Sequence, residues 1–246
     1  MIDKNKLTFL YYEELTSTND KLLSIASQST PFTVVYTQNQ TKGKGYGGNK
    51  WSGKPWENLT FSFLLSFDLN ELQNVLKINF WVITQLHAFI HSMIDKKNEL
   101  KIKWPNDLIL NKKKIAGILI ENKILGNRIN CVIGIGLNVN QQDFPELPNA
   151  SSLLNETEKT YNLEKLLADV MNHFLDRFSL LTSTEEGLID YFNHHLFMKN
   201  QVACFQKNEQ IFNGIIQQVS VDGELYVQME NDSIEIFKHK EVILLF

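Results

Sequence analysis

The sequence predicts an α+β fold: a mixed β-sheet packed with helices over residues 1–198, then a small β-barrel over residues 199–246. Three observations carry this. Apolar positions switch between period two and helical spacing along the first part, which interleaves strands with helices. After about residue 198 the chain becomes five short apolar runs split by turn residues, the pattern of a small barrel. The 246 residues are 43% hydrophobic and 21% charged, which supports a sizeable core and excludes disorder, collagen and a coiled coil.

Residues 7–13, apolar with a tyrosine pair, give the first strand. Ser17-Thr18-Asn19-Asp20 precedes Leu22, Leu23, Ile25 and Ala26, a helix start with several candidate caps. Phe32–Tyr36 is β-branched and aromatic, a second strand. Residues 41–50 hold four of the twelve glycines and read as a loop, and a strand follows at Leu59–Phe67. Leu72–Ile94 has the spacing of one long buried helix, with a break near Lys77. Its uncharged stretch includes Asn79, Gln85, His87 and His91, which suits a buried amphipathic helix and not a membrane span. Lys101–Trp104, Leu108–Leu110 and Ile115–Ile120 are three apolar runs, the last two joined by a hairpin turn at Asn111-Lys112-Lys113. Ile129–Val139 is a strand, 141–162 a polar loop, and Leu163–Leu181 and Leu188–Phe197 are helices. The barrel strands are Val202–Phe205, Ile211–Val219, Leu225–Met229, Ile234–Phe237 and Val242–Leu245, with Asp222-Gly223 as a turn signal.

The opening Met1-Ile2-Asp3-Lys4-Asn5-Lys6 lacks the apolar core of a signal peptide. Cys131 and Cys204 lie in apolar segments and read as buried free thiols. A cytoplasmic location without membrane contact is expected. The net charge is −4, unevenly placed: residues 37–56 and 101–114 together hold nine lysines and one acid. The rest of the chain has 15 basic and 27 acidic residues. Such a chain is a poor general nucleic-acid binder. The two segments either gather at a site for a small anion or are solvated loops.

Three motifs could carry chemistry. Gly43-Lys44-Gly45-Tyr46-Gly47-Gly48-Asn49-Lys50-Trp51 lets the backbone approach a ligand and can form an anion nest, or is a surface loop. It is neither a P-loop nor a dinucleotide fingerprint. Lys103-Trp104-Pro105-Asn106-Asp107 is a bend between short strands, functional or purely structural. In Gly134-Ile135-Gly136-Leu137-Asn138-Val139-Asn140, alternation puts Gly134, Gly136, Asn138 and Asn140 on one face. That face could seat a flat ligand or be covered by another backbone. His87 and His91 lack a third ligand, so no metal site is expected. No Gly-x-Ser-x-Gly elbow exists, and neither cysteine has the setting of a nucleophile.

These segments, taken with Gln40-Thr41-Lys42-Gly43-Lys44-Gly45 and Lys114-Ile115-Ala116-Gly117-Ile118-Leu119-Ile120-Glu121, occur in the order and spacing of a biotin protein ligase, and the chain resembles that family over nearly its whole length. The resemblance implies a catalytic domain over 1–198 and an SH3-like barrel over 199–246. It implies biotin and ATP as substrates with Mg²⁺, biotinyl-5′-AMP as intermediate, and amide formation on a lysine of the carrier protein of acetyl-CoA carboxylase or another biotin-dependent carboxylase. Only 16 residues precede Ser17, so the helix-turn-helix domain of the repressor forms is not expected, nor is sequence-specific DNA.

By the same resemblance, Ser17, Thr18, Asn19, Gln40, Gly43, Lys44, Gly45, Tyr46, Lys114, Gly117 and Gly136 bind biotin. Lys44, Trp51, Asn106, Lys114 and Asn138 bind ATP, and Lys114, Lys44 and Asp107 are catalytic. Asp107 is either a base for the carrier amine or a turn residue, and Trp51 either caps adenine or anchors the loop. The family usually has Gly-Arg-Gly-Arg-Arg-Gly-Arg at the glycine loop. Here three of the four arginine positions lose their charge, and Lys44 keeps charge without the bidentate fork. Two rivals are a lipoate–protein ligase, with the same adenylation logic, and a non-enzymatic adaptor using the barrel. The Lys-Trp-Pro-Asn-Asp run and the barrel strands favour biotin.

Overall fold

The computed structural model describes residues 7–182 and 186–246. The N-terminal hexapeptide examined for a signal peptide lies outside the described residues. Strand β1 (Thr8–Leu15) leads into α1 (Thr18–Ile25), and β2 (Thr33–Gln40) returns parallel to β1. Ser17 is the cap of α1: its backbone is extended and its hydroxyl accepts the Asp20 N–H at 3.3 Å. The glycine segment is more ordered than a loop. Gly43–Lys44 (β3) pairs with Lys50–Trp51 (β4) as a short ribbon. Its tip has Gly47 and Gly48 at φ 71° and 91°, where a side chain would strain the backbone.

Strand β5 (Asn58–Asp68) is followed by α2 (Leu72–Met93). The expected break near Lys77 is absent, because the helix contains no proline or glycine and lysine is a good helix former. Strands β6 (Leu100–Lys103), β7 (Asp107–Leu110), β8 (Lys113–Leu125) and β9 (Arg128–Asn138) follow. Asn111 and Lys112, both at positive φ, make the two-residue turn from β7 to β8. The bend between β6 and β7 carries a cis Trp104–Pro105 peptide.

The expected polar loop over 141–162 contains a helix, α3 (Leu153–Thr157), whose cap Ser152 accepts the Asn155 N–H at 3.2 Å. Helix α4 (Leu163–Asp176) stops short of the expected Leu181. The Arg177 carbonyl accepts Trp81 Nε1 at 3.1 Å, and the chain continues as a 3₁₀ turn over Phe178–Thr182. Helix α5 (Glu186–His194) also ends early, because His195 and Phe197 bond the Ile102 backbone on β6, each at 2.8 Å.

The main sheet has the order β1-β2-β5-β9-β8-β7-β6, parallel only between β1 and β2. One face packs Phe61, Phe63, Ile133 and Ile135 against Trp81, Phe174 and Phe192 from the helices. On the other face Leu22 of α1 packs on Val35, Leu64 and Val132, and α1 leaves the rest of that face to a cleft. This asymmetry positions the site.

After Phe197 come β10 (Val202–Lys207), β11 (Gln210–Val219), β12 (Leu225–Gln228), β13 (Ile234–Phe237) and β14 (Ile243–Leu245). They form an antiparallel sheet in the order β13-β12-β11-β10-β14. The expected barrel is not closed: β13 and β14 are the two edges, and the three-residue β14 pairs with β10 instead of β13. Phe205, Ile216, Leu225 and Phe237 join the principal core, so the sheet is packed against the first part of the chain. Asn193 fixes it further, bonding the Val219 N–H at 2.7 Å and carbonyl at 2.9 Å.

Cys131 is buried and free, and burial pushes its thiol up to about 12. Cys204 is also free but only half-buried, since its side of β10 faces away from the core. Among the described residues no helix is long and apolar enough to cross a membrane.

Candidate active site

The glycine ribbon, the start of α1, strands β8 and β9, the β6–β7 bend and the tail of the second sheet enclose a cleft of about 370 Å³. Its floor is a polar network. Gln40 Oε1 accepts the Thr18 N–H at 2.8 Å and lies 3.3 Å from the Thr18 hydroxyl. The Ser62 hydroxyl sits 2.7 Å from Thr18 Oγ1 and 2.6 Å from Asn19 Oδ1, and Asn19 Nδ2 donates to Glu121 at 2.8 Å. Ser17, Thr18 and Asn19 line the cleft and are buried, and Ser62, buried outside the lining, helps hold Thr18 and Asn19 in fixed orientations.

The bare face of β9 is filled by side chains and not by another backbone. A Cβ on Gly134 would collide with Asn19, and one on Gly136 with the Trp51 indole. Gly117, next to Gly136 across the β8–β9 pair, brings the same indole within 3.3 Å of its own Cβ position. Trp51 Nε1 is buried without a hydrogen-bond partner. Gly43 does not line the cleft: a Cβ there would strike the Trp51 carbonyl and the Gln40 amide, so its bareness lets the ribbon lie close to Gln40.

The opposite end is charged. Lys114 Nζ lies 2.7 Å from Asp107 Oδ1, and Lys103 Nζ lies 4.0 Å from Asp107 Oδ2. Burial pulls the Lys103 ammonium below its usual range; Asp107 opposes this and Lys114 adds to it. Lys44 turns outward to Asp20 at 2.5 Å, and that hydrogen bond raises it. Of the nine lysines in the two basic segments, Lys44, Lys50, Lys103 and Lys114 line the cleft, and Lys240 joins them from the second sheet. Among the described residues Asp107 is the lone acid lining it. The small-anion reading of the two segments therefore matches their placement.

The amides are mostly spent on structure. Asn106 lines the cleft, yet its Nδ2 donates to the Ile118 carbonyl at 2.5 Å. Asn138 is buried outside the lining, donating to the Ser151 carbonyl at 2.9 Å. Gly45, Tyr46 and Trp51 line the cleft from the ribbon. Sequence reasoning did not single out Ser62, Lys103 or Lys240 as site residues. Lys103 lies inside the Lys-Trp-Pro-Asn-Asp motif, but Ser62 reaches Thr18 and Asn19 only because β5 sets it opposite Gly134, a register that no local signal carries.

Among the described residues no cluster of three or more His, Cys, Asp or Glu could hold a metal. His87 has both ring nitrogens engaged, 2.9 Å from the Tyr191 hydroxyl and 3.1 Å from the Leu100 carbonyl, and burial lowers it to about 3.

The sequence profile of the biotin/lipoate A/B protein ligase family matches residues 11–140, more than half of the chain. This chain belongs to that family. The matched region carries every cleft residue except Lys240 and its neighbours on the second sheet. The bifunctional ligase/repressor BirA of Bacillus subtilis is 31% identical over 191 residues, 75% of this chain and 55% of that protein. A biotin–[acetyl-CoA-carboxylase] ligase of Paracoccus denitrificans is 31% identical over 124 residues, half of this chain and 51% of that one. The chain thus spans about half the length of these curated relatives. Biotin protein ligase from Aquifex aeolicus, solved with biotin and ATP, superposes with a TM-score of 0.78 at 23% identity, covering 97% of this chain and 98% of that one. Family membership and fold, including the second sheet, agree with the reading of the sequence.

Proposed function

We propose that this chain is an ATP-dependent biotin protein ligase. One observation carries the reading: a single cleft joins a neutral hydrogen-bonding wall to a lining with five lysines and one carboxylate, Asp107, which Lys114 and Lys103 approach. Biotin has a ureido head that hydrogen-bonds and a carboxylate tail, and ATP brings phosphates to meet that tail. A lipoyl ring would bring no hydrogen-bonding group to the wall formed by Ser17, Thr18, Asn19 and Gln40, whereas the ureido head would.

The two steps follow. A carboxylate oxygen of biotin attacks the α-phosphorus of ATP, forming the mixed anhydride and releasing pyrophosphate. Two anions must approach, and Lys114 is the ammonium best placed to offset their repulsion, oriented by Asp107 at 2.7 Å. Lys103 and Lys44 add positive field in the same lining. The ε-amine of a carrier lysine then attacks the acyl carbon, the amide forms and AMP leaves. That amine must shed a proton, and Asp107 is the carboxylate it meets among the described lining residues. Among the described lining residues, the Asp107 carboxylate would help hold a Mg²⁺ carried in by the nucleotide phosphates and water. Bound there, the ion would neutralise phosphate charge.

The C-terminal segment supplies Lys240 and Val242 to the cleft, so residues 199–246 act as part of the site. A carrier domain bearing the target lysine is the proposed partner. The test is ATP–pyrophosphate exchange with biotin, lipoate or neither. Biotin-dependent exchange supports the proposal; exchange driven by lipoate makes the chain a lipoate ligase, and no exchange with either ligand leaves the adaptor reading.

A further inference from the structure

The glycine ribbon leans on the second sheet through one ring. Tyr46, at the ribbon's tip, meets the edge of His239 with centroids 5.7 Å apart and planes at 86°. His239 also meets Trp104, on the β6–β7 bend, at 5.2 Å and 72°. Trp104 Nε1 donates to the Gly223 carbonyl at 2.9 Å, tying the bend to the same sheet. Lys240 stands 5.8 Å over the Tyr46 ring. Three separate parts of the chain therefore converge on His239.

Trp51 anchors the base of the ribbon against Gly136 and Gly117, but the tip has few other attachments. Gly47 and Gly48 have nothing within 4 Å of their Cβ positions, and β3 and β4 are two residues each. Lys44 is tied by an exposed ion pair to Asp20, which contributes little.

We propose that His239 is a positioning residue that clasps Tyr46 against Trp104 and so holds the glycine ribbon over the cleft. The histidine is held below its ordinary range chiefly by burial, opposed by a backbone hydrogen bond to Gly223, so near neutral pH the ring is uncharged. An uncharged ring sits beside Lys240 without repulsion. The clasp depends on this chain's own tyrosine at a position where the resemblance leads one to expect arginine. The ribbon is thereby held by ring packing from His239.

Each edge-to-face ring pair shifts an open–closed equilibrium by roughly 2- to 12-fold. Where opening is fast, trypsin cleavage within a segment follows its open population. The test is limited trypsin digestion of the full chain with cut sites identified by mass, comparing Lys44 and Lys50 in the ribbon with Lys97 after α2. His239→Ala should raise ribbon cleavage by about 2- to 12-fold relative to Lys97, and His239→Phe, which keeps the ring edge, should return it to the parent value. Tyr46→Ala should match His239→Ala, and it carries the test if His239→Ala lowers the unfolding midpoint. Unchanged ribbon cleavage in both alanine variants, or no rescue by phenylalanine, would overturn the clasp. Because the proposal rests on the ligase reading only for its consequence, exchange is measured on the same samples. A parent without biotin-dependent exchange refutes that reading, while the digestion still decides the clasp. With exchange present, His239→Ala should raise KM for biotin severalfold and leave kcat within about twofold.

Discussion

Replacing Lys114 by alanine separates chemistry from folding. Its ammonium lies 2.7 Å from Asp107, but the lysine side chain is 35% exposed. An ion pair this accessible contributes roughly 0.2–1 kcal/mol. Asp107 would keep Lys103 at 4.0 Å, so the carboxylate is not left without a cation. The loss of folding stability should therefore stay below about 1 kcal/mol. The adenylation step is different. A preorganised charge acting on the transition state is worth roughly 2–4 kcal/mol, or about 30- to 1000-fold in rate. Urea unfolding followed by tryptophan emission gives the first quantity, and biotin-dependent ATP–pyrophosphate exchange gives the second. Exchange within about threefold of the parent would remove Lys114 from the mechanism. A stability loss above about 2 kcal/mol would show that its work is structural.

Gly136→Ala places a methyl group in the Trp51 indole. It should destabilise the fold by roughly 1–3 kcal/mol and weaken nucleotide binding, read by urea unfolding and calorimetry; an equally stable variant would mean that Trp51 is not seated there in solution. Ser62→Ala removes the hydroxyl 2.6 Å from buried Asn19 Oδ1, with an expected loss of roughly 1–3 kcal/mol and a higher KM for biotin; unchanged values for both would exclude the network from biotin recognition. His87 and His195 are lowered to about 3 and about 4, chiefly by burial, with His91, His194 and Lys101 close by. Their folded pKa lies below the unfolded one, so stability is full above the unfolded value and falls as pH drops through it. For His87 roughly 2 kcal/mol should be lost by about pH 5, and a flat unfolding midpoint between pH 7 and 5 would contradict its neutral burial. Biotin with ATP should also protect the ribbon from trypsin at Lys44 and Lys50, and equal cutting with and without ligands would count against a ribbon that closes on them.

Much of the fold was legible because it is local. Ser17 caps α1 as a serine ahead of an apolar helix pattern should, and Asn111-Lys112 turns β7 into β8. The errors lie where tertiary bonds override the local pattern. Trp81 takes the Arg177 carbonyl and ends α4, and Ile102 takes the residues after α5. The open second sheet was not legible because five strands in sequence do not say whether the first and last edges meet. In the site, the lysine segments were visible as a charge imbalance, and Gly134 and Gly136 as a bare face. Lys240 and Ser62 were not, since one comes from a distant sheet and the other from strand register. Asn138 matched the motif, yet its amide serves the Ser151 carbonyl, a use visible only in three dimensions.

The most direct measurement is transfer itself. The chain is incubated with ATP, Mg²⁺ and biotin in the presence of a carboxyl carrier domain, and the carrier's intact mass and modified residue are read by mass spectrometry. The account predicts one biotinyl group on one carrier lysine, dependent on ATP and absent with Lys114→Ala. A carrier that stays unmodified, or that gains a lipoyl group when lipoate replaces biotin and nothing with biotin itself, would contradict it.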